Sequence, residues 1–293
     1  MRIFHYLCSV KQQIEYIISQ LRESYSYEES RELAYWILEE IYGLTRAEIL
    51  IGCKDTKKNV NAQANTTFHE HSIENIVEKL KAHMPIQYIF GHTEWMGLDI
   101  LLTPSTLIPR PETAELVEWI CQKCSPDVRA RVLDIGTGSG CIAIALKQRA
   151  PLWQVTGLDI SPDALEIAKK NAAHNNVQVD WIQIDILDEE LKGDFDIIVS
   201  NPPYICNREK IDMEARVLDY EPHSALFVPD NDPLLFYRRI ADLKPSLLFF
   251  EINEAYGEAV CAMMKEKRYT NIELKNDIYG KPRMVFGAIN RQG

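Results

Sequence analysis

The segment Asn201-Pro202-Pro203-Tyr204 follows an apolar run at 197–200, and its residue types suit one chemical problem. An amide or aromatic-amine nitrogen is a poor nucleophile because its lone pair is delocalised. To accept a methyl group, that lone pair must be aimed at the methyl carbon. Two acceptors that hold the two N–H bonds can do the aiming: the side-chain oxygen of Asn201 supplies one and the Pro202 carbonyl the other. Proline fixes φ and brings no N–H of its own, so the segment is stiff. Tyr204 offers a face on which a planar amide or base can stack. With a methyl group already activated on a sulfonium donor, no general base is needed at the first step. The gain comes from orientation and from excluding water. Asn201 and Pro202 are the candidate catalytic residues, and Asn201, Pro202, Pro203 and Tyr204 the candidate substrate contacts. A proline-rich turn with no chemistry is the plainer alternative.

A second motif precedes it. Val132-Leu133-Asp134-Ile135 reads as a buried strand, and Gly136-Thr137-Gly138-Ser139-Gly140 turns from it into a helix. Glycines at alternate positions let a backbone bend sharply and come close to a ligand. The spacing is tighter than the Gly-x-Gly-x-x-Gly of dinucleotide sites, and no Lys-Ser or Lys-Thr pair follows, which excludes a P-loop. Asp134 stands just before the turn, able to orient the loop or help hold a cationic ligand. Asp159 ends the next strand at about the spacing where an acid meets ribose hydroxyls. Asp185 ends the third strand with Ile186 behind it, a donor-seeking acid and an apolar face for an adenine ring. The candidate cofactor contacts are therefore Gly136, Thr137, Gly138, Ser139, Gly140, Asp159, Asp185 and Ile186, with Asn201 at the same edge. No metal site is expected.

These residues need a frame that brings strand ends together. From 130 onward strands alternate with helices: strands at 132–135, 155–160, 179–184, 197–200 and 247–252, helices at 140–148, 162–175 and 234–243. Such alternation implies a parallel sheet covered by helices, whose ligands sit at the carboxyl ends of the strands. A closing strand pair is expected at 272–274 and 284–289. The first 85 residues read differently. Ile14, Ile17, Ile18 and Leu21 recur at helical spacing, as do Leu33, Trp36, Ile37 and Ile41. Gly43 is a helix stop, Thr45 with Glu48 has capping-box spacing, and Ser72 opens a further helix that Pro85 ends. Residues 54–67 are a polar loop. Residues 87–91 and 98–102 read as strands of a hairpin around Met96-Gly97. The expected domains are a helical bundle at 1–85, a hairpin linker at 86–105 and an α/β domain at 106–293.

Composition narrows the partners. The net charge of −11 argues against nucleic acid, which is usually met by a basic patch. No apolar run approaches the roughly 18 residues of a membrane span, and no secretory signal opens the chain. Seven cysteines, an odd number scattered through a long chain, fit a reducing cytosol rather than a disulfide framework. Cys121 and Cys124 read as two thiols on one helix, and His69, Glu70 and His71 as a solvated loop.

Together the glycine turn and Asn201-Pro-Pro-Tyr204 resemble the amino-methyltransferases, a group that includes adenine-N6 DNA methyltransferases and protein glutamine methyltransferases. Gln87-Tyr-Ile-Phe-Gly91, Leu107-Ile-Pro-Arg-Pro-Glu-Thr113 and Tyr220-Glu-Pro222 with Ala225-Leu226 narrow the resemblance to the PrmC/HemK family of peptide chain release factor glutamine methyltransferases. The resemblance covers about 87 to the end, and the helical region fits it. It implies an α/β, Rossmann-like class I sheet with S-adenosylmethionine as cofactor and a small N-terminal helical domain that helps grip the partner. It implies methylation of the glutamine N5 in the Gly-Gly-Gln loop of class I release factors. Separately, a cytoplasmic location and a monomer are expected. Asn201 and Pro202 would bind the glutamine amide, Gly136 to Gly140 and Asp159 the cofactor, with Ile186 beside the adenine. Arg110 and Glu112 are expected between the domains, either lining the cleft or positioning the substrate loop, or else forming an interdomain salt bridge or turn. Three positions depart from the family pattern: Ala114 replaces a Glu, 228–233 lacks the usual glycines, and Asn253 replaces a Gly. None is expected to touch the chemical core. An adenine methyltransferase on nucleic acid and a non-enzymatic cofactor-binding module are the competing readings.

Overall fold

A computed structural model describes residues 10–51 and 72–289. The expected loop at 54–67, the His69-Glu70-His71 stretch, Cys8 and Cys53 lie outside the described residues. The chain divides into two compact units, Met1–Phe90 and Gly91–Gly293.

The first unit is helical: α1 (Val10–Leu21), α2 (Tyr27–Tyr42), α3 (Arg46–Ile51), α4 (Ile73–Lys81) and α5 (Ile86–Phe90). Its helices start where side chains satisfy the orphan amides of the first turn. Ser26 and Glu29 cap α2 reciprocally at 3.2 and 3.1 Å. Thr45 and Glu48 do the same before α3, at 2.8 and 3.3 Å. Ser72 caps α4. Gly43, at φ +61°, ends α2 in the left-handed conformation that glycine tolerates best. Ile17, Leu21, Ile37, Leu38, Ile76 and Leu80 close the core.

Two expectations fail at its end. Helix α4 stops at Lys81, and Pro85 begins a helix rather than ending one: its carbonyl accepts from Tyr88 and Ile89 amides at 3.0 and 3.1 Å. The segment expected as a strand at 87–91 is therefore mostly α5. Its buried residues, Ile86 and Ile89, are three apart, the spacing of a helix face. The hairpin's first strand lies further on, as β1 (His92–Trp95) against β2 (Leu98–Leu101). Met96 and Gly97 between them both have positive φ, as a two-residue hairpin turn requires.

The second unit continues with α6 (Pro111–Lys123), β3 (Arg131–Ile135), α7 (Cys141–Arg149), β4 (Gln154–Asp159), α8 (Pro162–His174), β5 (Asp180–Gln183) and β6 (Ile197–Ser200). A two-residue strand β7 (Ile205–Cys206), two short helices α9 (Ala215–Tyr220) and α10 (His223–Leu226), and β8 (Phe227–Val228) follow. Then come α11 (Leu235–Ala241), β9 (Leu247–Glu251), α12 (Gly257–Glu266), β10 (Thr270–Asn276) and β11 (Pro282–Ala288). The main sheet has the order β10-β11-β9-β6-β3-β4-β5. Five strands are parallel, and β11 and β10 close one side antiparallel. The chain leaves β3 toward β4 and β5, then returns to β6 on the other flank. Strand order reverses at β3, and a crevice opens at such a point in α/β sheets. This is a Rossmann-like α/β sheet with a helical region ahead of it.

Helix α12 was not anticipated as an element, and α6 only as the helix expected to carry Cys121 and Cys124. Cys121 lies on α6 and Cys124 just past its end; both are free, and burial pushes both thiols up, Cys124 to about 12. Among the described residues no three His, Cys, Asp or Glu side chains are grouped to hold a metal, and no helix is long and apolar enough to cross a membrane.

The sheet is packed tightly beneath the glycine turn. A Cβ at Gly157 would lie 2.4 Å from the Trp181 ring, and one at Gly140 would lie 2.9 Å from it. Gly157→Ala is expected to lower the unfolding free energy by about 1–3 kcal/mol through overpacking. Urea denaturation checks it, and an unshifted midpoint would contradict this packing.

Candidate active site

The glycine turn leaves β3 at Ile135. Gly136, Gly138 and Gly140 all have positive φ, at +72°, +54° and +81°. The Leu158 carbonyl, on the neighbouring strand, accepts from the Gly136 and Thr137 amides at 2.8 and 2.9 Å. The Gly138 amide donates to Asp159 Oδ2 at 2.8 Å, and the Ser161 amide to Oδ1 at 3.0 Å. Asp159 thus fixes the turn and the start of α8. Burial raises its pKa. A Cβ on Gly138 would meet nothing within 4 Å, so the turn's bend faces open space. That is a backbone cradle into which a ligand can come close.

Asp134 is fully buried below the turn. Its Oδ2 accepts from the Thr137 hydroxyl at 2.6 Å. Burial pushes its pKa up to about 7 against the pull of that hydroxyl and of the Ala143 amide. Asn171, also fully buried, is a positioning residue outside the sequence reading. Its Nδ2 donates to the Ser139 carbonyl at 2.8 Å, and it exchanges two hydrogen bonds with the Leu101 backbone at 2.7 and 3.0 Å. The turn is thereby tied to the β1–β2 hairpin.

Asp185 and Ile186 lie two and three residues past β5 rather than at its end. The Ile184 amide donates to the Asp159 carbonyl at 3.2 Å, which keeps this loop beside β4. Asp185 Oδ1 accepts from the Leu187 amide at 2.9 Å, and Oδ2 takes no part in that turn. Ile186 is buried, and its carbonyl accepts from Arg239 Nε at 2.7 Å.

Asn201 follows β6. Ile135 and Ser200 are register partners, so the glycine turn and Asn201 leave adjacent strands at one level. The Ser200 hydroxyl donates to the Ile135 carbonyl at 2.7 Å. A Cβ on Gly136 would lie 3.9 Å from the Asn201 carbonyl oxygen. Pro202 is buried, while Pro203 and Tyr204 are partly buried. Asn201 Nδ2 donates to Thr113 Oγ1 at 3.3 Å, and Thr113 Oγ1 donates to Glu251 Oε2 at 2.7 Å. The Tyr204 hydroxyl reaches Glu251 Oε1 at 3.4 Å. Burial pushes the Glu251 pKa up to about 7, opposed by Thr113, Arg283 and Tyr204 and reinforced by Glu112. Burial also raises the Tyr204 pKa. The carboxylate at the end of β9 was missed from sequence. Its signal is one acid at the end of an apolar run, Leu247-Leu-Phe-Phe-Glu251.

The ion pair that Arg110 makes is not the interdomain salt bridge weighed as one alternative. Arg110 pairs with the buried Glu221 inside the second unit, and the Ile108 amide donates to the same carboxylate at 3.4 Å. Two distant signature segments are thus joined to each other. Asn253 also departs from expectation, because it does touch the core. Its Nδ2 donates to the Tyr204 carbonyl at 3.3 Å and to Glu209 at 3.1 Å, while Oδ1 caps Ala255 at 2.9 Å. In the 228–233 segment Val228 is buried and pairs with Cys206, and Asp232 pairs with Arg238.

The sheet, its switch point and its glycine cradle define a class I methyltransferase that uses S-adenosylmethionine. Comparison with known proteins agrees. A model of the methyltransferase small domain matches residues 113–219, and one of the PrmC N-terminal domain matches 12–91. The chain is 44% identical to the release factor glutamine methyltransferase of Bacteroides thetaiotaomicron, over 92% of this chain and 96% of that one. It is 41% identical to that of Flavobacterium psychrophilum, over 92% and 95%. Among solved structures, the human Mettl16 catalytic domain bound to a MAT2A 3′UTR hairpin matches with TM-score 0.54 at 16% identity, over 68% of this chain and 77% of that one. That likeness speaks to the fold alone. The chain belongs to the release factor glutamine methyltransferase family.

The buried Asp134 yields a pH test. A raised carboxyl pKa means that between its ordinary 3.8 and about 7 the folded state holds a proton the unfolded state has lost. Charging Asp134 therefore costs stability as pH rises through that window. Asp134→Asn keeps an acceptor for Thr137 and carries no charge. Its melting temperature relative to the unaltered protein is expected to rise between about pH 6 and about pH 8 in scanning calorimetry. A constant difference would sink the assignment.

Proposed function

We propose that this protein transfers a methyl group from S-adenosylmethionine to the N5 side-chain nitrogen of the glutamine in the Gly-Gly-Gln motif of class I peptide chain release factors. Family membership supports the reaction. The observation that carries the site is Asn201: its NH2 end is engaged by Thr113, which turns its Oδ1 end away from that partner. In this reading Oδ1 and the Pro202 carbonyl accept the two N–H bonds of the substrate amide, and its lone pair points across toward the glycine turn. Pro203 and the Tyr204 ring border the flat substrate group. The bound cofactor supplies an electrophilic methyl. Gly136, Thr137, Gly138, Ser139 and Gly140 cradle it, Asp159 accepts from its ribose hydroxyls, and Asp185 and Ile186 meet its adenine. As the carbon–nitrogen bond forms, the methyl–sulfur bond would break and its electron pair would leave on the sulfur of S-adenosylhomocysteine. The two acceptor oxygens stabilise the positive charge that the amide nitrogen gains, until one of its two protons passes to water. The helical domain is assigned to holding the release factor. The enzyme acts in the cytoplasm as a monomer, without nucleic acid or membrane.

Labelled S-adenosylmethionine tests the reading, with a class I release factor and a Gln→Asn control in its Gly-Gly-Gln motif. Label on the first and none on the second is expected. Label on neither, with cofactor binding intact, would discard this substrate. Asn201→Ala is expected to keep cofactor affinity and lower turnover by at least about tenfold, equal to about 1.4 kcal/mol in the barrier. Unchanged turnover would mean that another group accepts the substrate N–H.

A further inference from the structure

Thr113 and Glu251 come from α6 and β9, 138 residues apart, and meet behind Asn201. Thr113 is 3% exposed and Glu251 1%. A threonine hydroxyl has one hydrogen to give. An ionised carboxylate can only accept, so Thr113 gives that hydrogen to Glu251 and has only lone pairs left for Asn201. The NH2 end of the Asn201 amide must then face Thr113. The flipped amide would set oxygen against oxygen. The same carboxylate receives the Tyr204 hydroxyl on its other oxygen, so both polar ends of Asn201-Pro-Pro-Tyr204 refer to one buried group.

We infer that Glu251, acting through Thr113, is a positioning residue that holds the Asn201 amide in the one orientation whose oxygen receives the substrate N–H. The inference rests on the site reading given under Proposed function. It explains why the Asn201 amide, which has both a donor and an acceptor end, presents an acceptor. An amide free to flip would spend part of its time offering NH2 to a substrate NH2.

The relay has a polarity that protonation removes. A protonated Glu251 can donate to Thr113, whose hydrogen is then released to turn toward Asn201. The charged and titratable groups that face Glu251 are Glu112 beside Thr113, Arg283 on β11, Tyr204, Tyr237 on α11, and Cys141 at the start of α7. Because the Glu251 pKa lies at about 7, turnover is expected to fall as pH drops through neutrality.

The test compares Thr113→Val, Thr113→Ser, Glu251→Gln and Asn201→Ala in steady-state methyl transfer to a release factor, with S-adenosylmethionine affinity measured by calorimetry as a check of folding. Thr113→Val is expected to lower kcat about tenfold with KM and cofactor affinity within about twofold, and Thr113→Ser to restore most of the loss. Glu251→Gln is expected to lack the acid limb of the kcat profile, because an amide side chain carries no group that titrates in this range. Wild-type turnover in Thr113→Val beside an impaired Asn201→Ala would overturn the relay and leave the site reading standing. Equal loss in the Val and Ser variants would also overturn it, since packing rather than the hydroxyl would then matter. If Asn201→Ala is unimpaired, the site reading falls and the relay with it. Should Thr113→Val fail to bind cofactor, the Glu251→Gln profile decides, and a retained acid limb would overturn the inference.

Discussion

Parallel pairing of β3 with β6 sets the level at which everything else happens. Ile135 opposes Ser200, so the next residue on each strand, Gly136 and Asn201, leaves the sheet at the same height. The Ser200 hydroxyl pins this pairing from the side by donating to the Ile135 carbonyl at 2.7 Å. A slip of one residue would turn every inward side chain outward. The slip is resisted because β6 is buried along its whole length. On the other flank β4 delivers Asp159 to the turn's Gly138 amide. One strand with two parallel neighbours therefore brings together a backbone cradle, a carboxylate and an amide side chain. The reversal of strand order at β3 opens the crevice they share.

Around that crevice the protein accepts polar burial that core packing alone would disfavour. Asp134, Glu251, Glu221 and Asn171 are all buried. Unpaired, each would cost several kcal/mol; hydrogen-bonded, each becomes a fixed point. Asn171 uses three backbone partners to lock the turn to the hairpin. Glu221 anchors Arg110 and, through it, the entry to α6. That entry carries Thr113 to Asn201. The ion pair is thus part of the frame that aims the amide. Asn253 adds another tie, where a glycine would leave the Tyr204 carbonyl without this donor.

The main sheet was legible in the sequence where strands are short apolar runs bounded by glycine or an acid, as at β3, β4, β6 and β9. Their parallel pairing followed from alternation with helices, because parallel neighbours need crossovers. The hairpin's turn, Met96-Gly97, was also readable, but its first strand was not. Gln87-Tyr-Ile-Phe has apolar residues close enough to fit either period, and a helix of five residues is too short to declare itself. What sequence could not carry were the long-range polar contacts. Nothing local marks Arg110 as the partner of a residue 111 positions away, or Thr113 as the hinge between Asn201 and Glu251. Those depend on where tertiary folding delivers two side chains.

The claim at the centre of the account is that this sheet edge presents two oxygen acceptors to a planar amide beside a methyl donor. Tandem mass spectrometry of the release factor after incubation with the enzyme and S-adenosylmethionine tests it most directly. The account predicts one added methyl, on the side-chain nitrogen of the glutamine in Gly-Gly-Gln. A methyl on any other residue, or on the backbone, would contradict it.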